Sequence, residues 1–335
     1  MCGRSLAGVA ATVEKIPIFL LTGFLGSGKT TLLRRAIGGA LGADTVVLVN
    51  EIGAVGLDHH LLWNAAGGVM VLENGCACCT VRDDLVAQLE ELFWARTRRQ
   101  MVRFERVVIE TTGLADPRHV AGALADSQIV DERYELRAVV TTVDATMADV
   151  QMRRHAEWSA QVGLADLVVL TKQDLAGPQQ VATARAAVAA VNPLAEIVAS
   201  REVEGPVLLA ARGGARESPP RGRLVAEHVS AVATLTVRVG ELAPEQMLAA
   251  LARLCAALGE ALLRVKGLVA APDGTVFAYQ VVGTRIAEPE AVAPAALEAE
   301  GWLVVITLGV AEEAVRESLA QAGFHGPSES VAPSQ

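Results

Sequence analysis

One segment near the amino terminus limits most strongly what this 335-residue chain can fold into. The sequence GFLGSGKT, from Gly23 to Thr30, matches the pattern G-x-x-x-x-G-K-[ST] completely and follows the apolar run IPIFLLT. Glycines let a backbone bend so that its N–H groups point at phosphate oxygens, and a helix that begins at the lysine adds its positive end. The segment therefore predicts a buried strand, a phosphate-binding loop and a helix, in that order.

The residues of this loop have separate expected tasks. Lys29 can reach the β and γ phosphates of a nucleoside triphosphate, and the hydroxyl of Thr30 can bind Mg²⁺. The alternative, a glycine-rich turn that matches by chance, conflicts with the strand before the loop and the helix after it. The expected phosphate contacts come from Gly23, Gly26, Ser27, Gly28, Lys29, Thr30 and Thr31.

Apolar, Val-rich runs alternate with helical stretches over about the first two hundred residues. This alternation predicts an α/β fold, in which a P-loop NTPase parallel sheet has helices on both faces. The predicted strands are 16–22, 45–49, 69–72, 106–109, 137–143, 166–170 and 195–199. The predicted helices are 29–40, 81–100 and 178–191, and the second has one apolar face formed by Leu85, Leu89, Leu92 and Phe93.

A change in composition divides the chain after the first domain. The stretch RGGARESPPRGR at 212–223 is rich in Gly, Pro and Arg and has no periodicity, which is typical of a linker. The elements predicted beyond it are a strand (233–239), a helix (244–258), three strands (261–269, 276–282 and 302–308) and a helix (312–322). This βαββαβ-like order predicts a smaller C-terminal α+β domain. The expected organisation is an N-terminal extension (1–15), a P-loop domain (16–211), a linker (212–231), the α+β domain (232–325) and a disordered tail (326–335).

Charge and hydropathy exclude some classes of partner. The chain has 38 acidic and 29 basic residues, and its net charge of −9 repels nucleic-acid backbones. Its longest apolar stretches, such as Leu303–Ala311, are too short to cross a bilayer, and residues 1–15 do not resemble a leader peptide. We therefore expect a cytoplasmic protein that has no nucleic-acid partner and no membrane partner.

Two acidic segments are expected on the phosphate side of the sheet. The strand RVVIE ends at Glu110, which can hold Mg²⁺ directly or through water, and Gly113 can present its N–H to a γ-phosphate. The alternative for Glu110 is a solvated acid at a strand end. The segment NEIGAVGLD carries Glu51 and Asp58, which can meet Mg²⁺ or a second metal and are candidates for activating the hydrolytic water. The expected catalytic residues are Lys29, Glu51, Asp58 and Glu110.

The segment TKQD, at the end of a later strand, indicates the base of the nucleotide. It resembles the N/T-K-x-D pattern, in which one carboxylate accepts from N1–H and the N2 amine of guanine, an edge that adenine lacks. Asp174 would bind guanine in this way, Lys172 would lie along the base plane, and Thr171 stands where Asn is commoner. With Ser200 helping to close the pocket, these residues favour GTP over ATP.

Three of the five cysteines lie within four residues, in the segment NGCACC. Thiolates prefer soft or borderline ions such as Zn²⁺, Co²⁺ or Cu⁺. A closed structural zinc site needs four protein ligands, so Cys76, Cys78 and Cys79 would leave one position open, which suits an ion that must be released. His59 or His60 could supply a fourth ligand.

Three other interpretations of these thiols stay open. They could be buried small hydrophobic side chains, a redox pair, or a structural zinc site completed by Cys2 or Cys255. The odd number of cysteines and their clustering argue against a disulfide scaffold and favour metal or redox chemistry in a reducing compartment.

Together these segments resemble the CobW family of GTPases, relatives of the urease and hydrogenase nickel-insertion proteins. The family pattern has a GFLGSGKTT loop, an NEFGxxGxD segment, a CxCC cluster after NG, an ExTG strand end and an N/T-K-x-D motif. This chain has GFLGSGKTT, NEIGAVGLD, NGCACC, ETTGLADP and TKQD in the same order, and LLRVKGL at 262–268 resembles the family's C-terminal domain. Many members also carry a histidine-rich tract, which this chain, with six histidines, lacks.

The resemblance implies a GTP-hydrolysing metal chaperone that binds GTP, Mg²⁺ and a transition metal. Zinc is the usual metal of the family, with Co²⁺ or another transition metal as alternatives, and the client would be the apo-form of a metalloenzyme. A GTP-dependent homodimer is a further expectation. Two other functions stay open: a P-loop phosphotransferase with structural or redox cysteines, and a client-specific maturation factor that acts mainly by docking.

Overall fold

The computed structural model describes residues 15–39, 44–49, 62–63, 70–73, 81–101, 103–203, 232–293, 297 and 300–324. This part of the chain forms two β-sheets, one of eight strands and one of six. The strands of the first sheet are β1 (Ile16–Gly23), β2 (Thr45–Val49), β3 (Leu62–Trp63), β4 (Met70–Glu73), β5 (Arg106–Glu110), β6 (Tyr134–Asp144), β7 (Leu167–Thr171) and β8 (Glu196–Ala199). The helices between them are α1 (Lys29–Gly39), α2 (Val81–Thr97), α3 (Pro117–Asp126), α4 (Gln128–Arg133), α5 (Ala148–Arg154), α6 (Ala156–Leu164) and α7 (Pro178–Val191).

The first sheet has the strand order β3-β4-β2-β5-β1-β6-β7-β8. Neighbouring strands run parallel except for β3 and β4, which are antiparallel. Parallel strands end at the same edge of a sheet, which is where α/β proteins bind their ligands. Leu21 pairs with Glu110, and Gly23 pairs with Thr142, so the loop after β1 lies beside the ends of β5 and β6.

Alternating side chains of β1 divide the core between the two faces of the sheet. Ile18 and Leu20 pack on one face with the buried leucines of α2, while Phe19 and Leu21 pack on the other face with α1. The apolar face predicted for α2 is therefore buried. Helices cover both faces of the sheet, and the predicted P-loop NTPase fold is confirmed.

The second sheet and two helices form the C-terminal part of the described chain. Its elements are β9 (Val232–Val239), α8 (Pro244–Leu258), β10 (Leu262–Ala270), β11 (Val276–Val282), β12 (Arg285–Ile286), β13 (Glu290–Val292), β14 (Gly301–Leu308) and α9 (Glu312–Ala322). The strand order is β12-β11-β10-β14-β9, β13 pairs with β11, and these pairs are antiparallel. The α+β class is confirmed.

The six predicted elements of this domain are present, but they follow one another as βαβββα, so the βαββαβ-like description of their order is wrong. Two further short strands that the sequence pattern does not predict, β12 and β13, follow β11 and precede the predicted last strand and helix. β14 is an apolar run that is buried between β10 and β9 in the sheet. Helices α8 and α9 then cover one face of the sheet.

The other face of the second sheet packs against the first domain. Helix α6 lies at this contact, and a Cβ added at Gly163 would lie only 2.5 Å from Cδ1 of Leu263 on β10. Glycine at this position therefore permits the close approach of helix and sheet. The side chains of the second sheet that join the core of the first domain are Leu263, Leu268, Val276, Trp302, Val304 and Ile306.

A buried ion pair also joins the two domains. The guanidinium of Arg264 on β10 donates to the carboxylate of Asp166 and, at 2.5 Å, to the carbonyl of Leu164 at the end of α6. The ammonium of Lys266 is 3.3 Å from the same carboxylate, which also accepts from the Val139 backbone at 3.0 Å. The side chains of Arg264 and Asp166 are 1% and 3% exposed. Charges this deeply buried are tolerated only when they are paired and hydrogen-bonded, as they are here.

The sequence pattern does not predict helices α3 to α6. They are short, with 10, 6, 7 and 9 residues, and α6 is buried along most of its length, so it has no polar face that would reveal its period. Among the helices in the described ranges, none combines the length and the hydropathy that a bilayer crossing requires.

Replacing Arg264 by Met should lower the free energy of unfolding by about 3 kcal/mol, because Asp166 loses a cation and the Leu164 carbonyl loses its donor. Urea denaturation followed by circular dichroism measures the change. The matched control is Arg253→Met on α8, whose guanidinium donates to the carbonyl of Ala322 at 2.8 Å. The control should cost about 1 kcal/mol or less. Equal losses in the two variants would contradict the role given to the buried pair.

Candidate nucleotide site

The loop that follows β1 has a backbone that only glycine adopts readily. Gly23, Gly26 and Gly28 have φ angles of +143°, +68° and +95°. A Cβ at Gly23 would lie 2.3 Å from the hydroxyl oxygen of Thr142 on β6, so a larger residue would displace the loop. The hydroxyl of Ser27 forms a hydrogen bond with the same Thr142 oxygen at 2.7 Å. The loop is therefore fixed against β6 as well as β1.

Lys29 begins α1 and turns its side chain back over the loop. Its Nζ donates to the carbonyl of Gly23 at 2.7 Å and to that of Phe24 at 3.3 Å, and the residue is 8% exposed. The ammonium lies near the N-terminal end of the helix, which itself favours anions. Loop, helix end and lysine together form a site for the phosphates of a nucleotide.

Thr30 and Glu110, both predicted to bind Mg²⁺, are in direct contact. The Thr30 hydroxyl donates to Oε1 of Glu110 at 2.7 Å, although the two residues are separated by 80 positions, and Glu110 is 3% exposed. Both residues offer oxygen, the ligand atom that Mg²⁺ prefers, and Mg²⁺ commonly takes one or two protein ligands beside phosphates and waters. The pair fits a Mg²⁺ ion next to the phosphates.

The segment after β5 lies directly against the phosphate loop. The backbone N–H of Thr111 donates to the Leu21 carbonyl at 3.0 Å, and its hydroxyl donates to that of Thr22 at 2.8 Å. A Cβ at Gly113 would lie 2.7 Å from the Cα of Leu25, so this position has room only for glycine. Gly113 thus lies next to the phosphate loop, as a contact between its N–H and a γ-phosphate requires.

The first residue of the TKQD segment holds the phosphate loop. The hydroxyl of Thr171 donates to the backbone carbonyl of Ser27 at 2.7 Å and lies 3.2 Å from that of Val143. A Cβ added at Gly28 would lie 3.4 Å from Cγ2 of Thr171. Thr171 therefore connects the end of β7 to the loop after β1. Asp174 is exposed in the turn that follows.

Lys172 is held by an acidic residue that the sequence analysis missed. Its backbone has a φ of +53°, and its Nζ donates to Oδ2 of Asp144, at the end of β6, at 2.6 Å. Oδ1 of Asp144 accepts from the N–H and the hydroxyl of Thr146 at 2.9 and 2.6 Å. Burial tends to raise the pKa of the Asp144 carboxyl, but these hydrogen bonds and the charge of Lys172 hold this pKa below its usual range. Asp144 is therefore ionised at neutral pH and fixes the direction of Lys172.

The sequence contains a pattern that could have identified Asp144. The run VVTTVD is an apolar strand that ends in a carboxylate, as RVVIE is at Glu110. Both acids end strands that flank β1, so both lie at the edge where the loop begins.

Gln161 is a second residue that the sequence analysis missed. From α6 its side-chain amide donates to the carbonyls of Gly113 and Ala115, both at 3.1 Å. It lies 48 and 46 positions from these partners, in a helix that the sequence pattern does not predict. No pattern in the sequence connects it to the site.

The predicted metal ligands lie outside the described residues, and so do the candidate acids and histidines of segment 50–61 and the N-terminal cysteine. The residues concerned are Cys76, Cys78, Cys79, Glu51, Asp58, His59, His60 and Cys2. Cys255 is described, and it is buried in the core of the C-terminal domain. Burial raises the pKa of its thiol to about 11, which argues against Cys255 as a zinc ligand. Within the described ranges, no group of three or more His, Cys, Asp or Glu side chains could hold a metal ion.

Curated relatives match about half of this chain. Over 165 residues the chain is 39% identical to the zinc chaperone YjiA of Escherichia coli, a match that covers 49% of this chain and 52% of the relative. Over 195 residues it is 33% identical to the zinc-regulated GTPase metalloprotein activator 1 of Schizosaccharomyces pombe, covering 56% of this chain and 46% of the relative. The chain thus spans about half the length of the curated relatives it matches.

A solved structure resembles almost the whole chain. The Zn(II)-bound YjiA GTPase from E. coli superposes with a TM-score of 0.70 at 27% identity, and the match covers 92% of this chain and 99% of that one. Two family models also match: the CobW/HypB/UreG nucleotide-binding domain over residues 17–199, and the cobalamin synthesis protein CobW C-terminal domain over residues 232–323. Because the first model alone covers more than half of the chain, the protein belongs to the CobW/HypB/UreG family and carries both domains of its CobW members.

Proposed function

We propose that this chain is a GTPase that binds a transition metal ion, zinc first among them, and transfers it to a client metalloprotein. The observation that carries the nucleotide part is the contact between Thr30 and Glu110 beside a complete phosphate loop. The metal part is supported by the NGCACC segment and by relatives described as a zinc chaperone and a zinc-regulated GTPase metalloprotein activator.

In this proposal the phosphate loop acts on the triphosphate of GTP. The N–H groups of the loop and the ammonium of Lys29 bind the β and γ phosphates, and the N–H of Gly113 donates to the γ-phosphate. Thr30 and Glu110 would hold Mg²⁺, and the ion would supply positive charge next to the phosphates. Lys29 is already held inside the loop by two backbone carbonyls, so little reordering is needed.

The base is bound at the carboxyl ends of β6 and β7. Asp174 accepts from the N1–H and N2 amine of guanine, and Lys172 lies along the plane of the base. The ion pair with Asp144 supports this role for Lys172, because it fixes the ammonium at 2.6 Å from a buried carboxylate. Thr171 links this end of the site to the phosphate loop through the Ser27 carbonyl.

The strand that precedes the cysteine segment, β4, ends beside the strands of the proposed phosphate site, which supports a coupling of nucleotide and metal. Val49 on β2 is in register with Glu73 on β4 and with Glu110 on β5, so these three strands end together. Adjacent strands are about 4.8 Å apart, so the end of β4 lies about 10 Å from that of β5. The segments 50–61 and 74–80 continue from these strand ends. Bound GTP would order both segments and favour metal binding, and hydrolysis would release them.

Segment 50–61 has a second proposed task. It contains Glu51 and Asp58, the candidates for activating the hydrolytic water, and Asp58 is a further candidate for Mg²⁺. We propose the apo-form of a metalloenzyme as the client, with a GTP-dependent homodimer as the state that receives the ion. Because the metal ligands are thiolates, the transfer requires a reducing compartment, and we propose the cytoplasm.

Replacing Cys76, Cys78 and Cys79 together by Ser should abolish the binding of one Zn²⁺ by the reduced chain, because hydroxyls are poor ligands for this ion. Competition with a chromophoric chelator measures the affinity. The matched control is Cys255→Ser, which removes a thiol buried in the other domain and should leave zinc binding within about twofold of the wild type. A triple variant that still binds one Zn²⁺ with unchanged affinity would disprove the metal part of the proposal.

Replacing Asp144 by Asn should weaken GDP and GTP equally, by about tenfold, since both carry the guanine that Lys172 is proposed to contact. Fluorescent GDP and a non-hydrolysable GTP analogue, each with Mg²⁺, measure the two affinities. The control is Asp149→Asn, which breaks an exposed pair with Arg153 on α5 and should change neither affinity by more than about twofold. Unchanged affinity for both nucleotides in Asp144→Asn would rule out the role given to the ion pair.

A further inference from the structure

Gln161 uses both of its side-chain N–H groups on one stretch of backbone. It is 0% exposed in the middle of α6, and its Nε2 donates to the carbonyls of Gly113 and Ala115, each at 3.1 Å. These carbonyls belong to the five residues that follow Glu110, the acid that contacts Thr30. A buried glutamine from a distant part of the chain therefore holds the backbone that leads away from the proposed Mg²⁺ site.

The same stretch is held from its other side by the phosphate loop. A Cβ at Gly113 would lie 2.7 Å from both the Cα and the N of Leu25, so the two backbones are in contact. The stretch thus lies between the loop and Gln161. A shift of Gly113 toward or away from the phosphates has to change its hydrogen bond with Gln161.

Helix α6 is itself anchored, which makes Gln161 a fixed support. The last carbonyls of a helix have no partner within the helix and need donors from elsewhere. Here the backbone N–H of Ala165 donates to Val162, and side chains from three other parts of the chain donate to the carbonyls of 161–165; of these, Arg264 belongs to the C-terminal sheet. The bonds are Thr141 Oγ1 to the Gln161 carbonyl (2.8 Å), Asn192 Nδ2 to Val162 (2.8 Å), Gly163 (3.2 Å) and Ala165 (2.9 Å), and Arg264 Nη1 to Leu164 (2.5 Å).

We propose that Gln161 is a positioning residue for the nucleotide reaction: it holds the Gly113 backbone where its N–H meets a γ-phosphate, and α6 connects this backbone to the C-terminal sheet. The inference rests on the proposed GTPase function, because it takes Gly113 as the residue that distinguishes GTP from GDP. In this proposal Gln161 has no direct contact with the nucleotide or the metal. It acts only through the two carbonyls that it binds.

A positioning role and a purely structural role can be distinguished by which nucleotide loses affinity when the residue is replaced. Loss of packing or of overall stability would weaken GDP and GTP together, whereas loss of the Gly113 support affects only the nucleotide that has a γ-phosphate. Asp144→Asn gives a different pattern for comparison, because it should lower the affinity for GDP and for GTP equally. Gln151, a buried glutamine on the neighbouring helix α5, offers the same chemical substitution on a different helix.

The test compares Gln161→Leu with Gln151→Leu in the full chain. Gln161→Leu should weaken a non-hydrolysable GTP analogue with Mg²⁺ about tenfold and slow GTP hydrolysis by a similar factor, while GDP affinity stays within about twofold. Gln151→Leu should leave the ratio of the two affinities unchanged. Equal weakening of GDP and the GTP analogue by Gln161→Leu, or the same change in Gln151→Leu, would overturn the proposal.

A second variant, Gln161→Glu, adds a pH signature. The protonated carboxyl can donate one of the two hydrogen bonds, whereas the ionised form can donate neither and faces two carbonyl oxygens. Affinity of this variant for the GTP analogue should rise several-fold from pH 8 to pH 6, relative to wild type over the same range. Parallel pH profiles of the variant and the wild type would count against positioning by hydrogen bonds.

Amide hydrogen exchange separates failure of this inference from failure of the proposed function. In the nucleotide-free chain, residues 111–116 should exchange faster in Gln161→Leu than in wild type, and not faster in Gln151→Leu. If the wild type neither binds nor hydrolyses GTP, the proposed function fails, and the exchange result still decides whether Gln161 holds this backbone. Unchanged exchange at 111–116 in Gln161→Leu would overturn the positioning role by itself.

Discussion

The position of β1 between two parallel neighbours is the constraint on which the site depends. Its hydrogen-bond register with β5 and β6 places the start of the phosphate loop beside Glu110 on one side and near Asp144 on the other. One edge of the sheet thus has one carboxylate at the proposed Mg²⁺ site and a second at the proposed base site. The glycine backbone of the loop, tight against Thr142, leads into the N-terminus of α1, and Lys29 turns back from there to the Gly23 carbonyl.

The second domain is joined to the first by interactions that favour one arrangement over alternatives. Apolar side chains of its sheet complete a core shared with β1 and α2, which supplies non-directional stabilisation. The buried contact of Arg264 with Asp166 and with the end of α6 is directional, because any sliding of the sheet would leave a charge unpaired. Since α6 also carries Gln161, the arrangement of the two domains and the backbone around Gly113 are mechanically connected.

Much of the fold follows from the sequence, because it is encoded in local patterns. The complete phosphate-loop motif, the apolar strands and the acid at the end of β5 predict the sheet and the meeting of Thr30 with Glu110. The supports of the site are different in kind: Gln161 and Asp144 meet their partners only through tertiary packing, and α6 is buried almost all round, so it has no amphipathic period. The sequence predicts a role for Thr171 only at the guanine base, whereas in the structure its hydroxyl donates to the Ser27 carbonyl of the phosphate loop.

Binding of Co²⁺ to the reduced chain, with Mg²⁺–GDP and with Mg²⁺ and a non-hydrolysable GTP analogue, tests the coupling of nucleotide and metal most directly. Charge-transfer absorption from thiolate to Co²⁺ reports binding by Cys76, Cys78 and Cys79 without interference from oxygen ligands. Affinity should be about tenfold or more tighter with the GTP analogue than with GDP, if bound GTP orders the cysteine segment. Equal affinity in the two states would contradict the chaperone cycle, because nucleotide could then drive neither loading nor release of the ion.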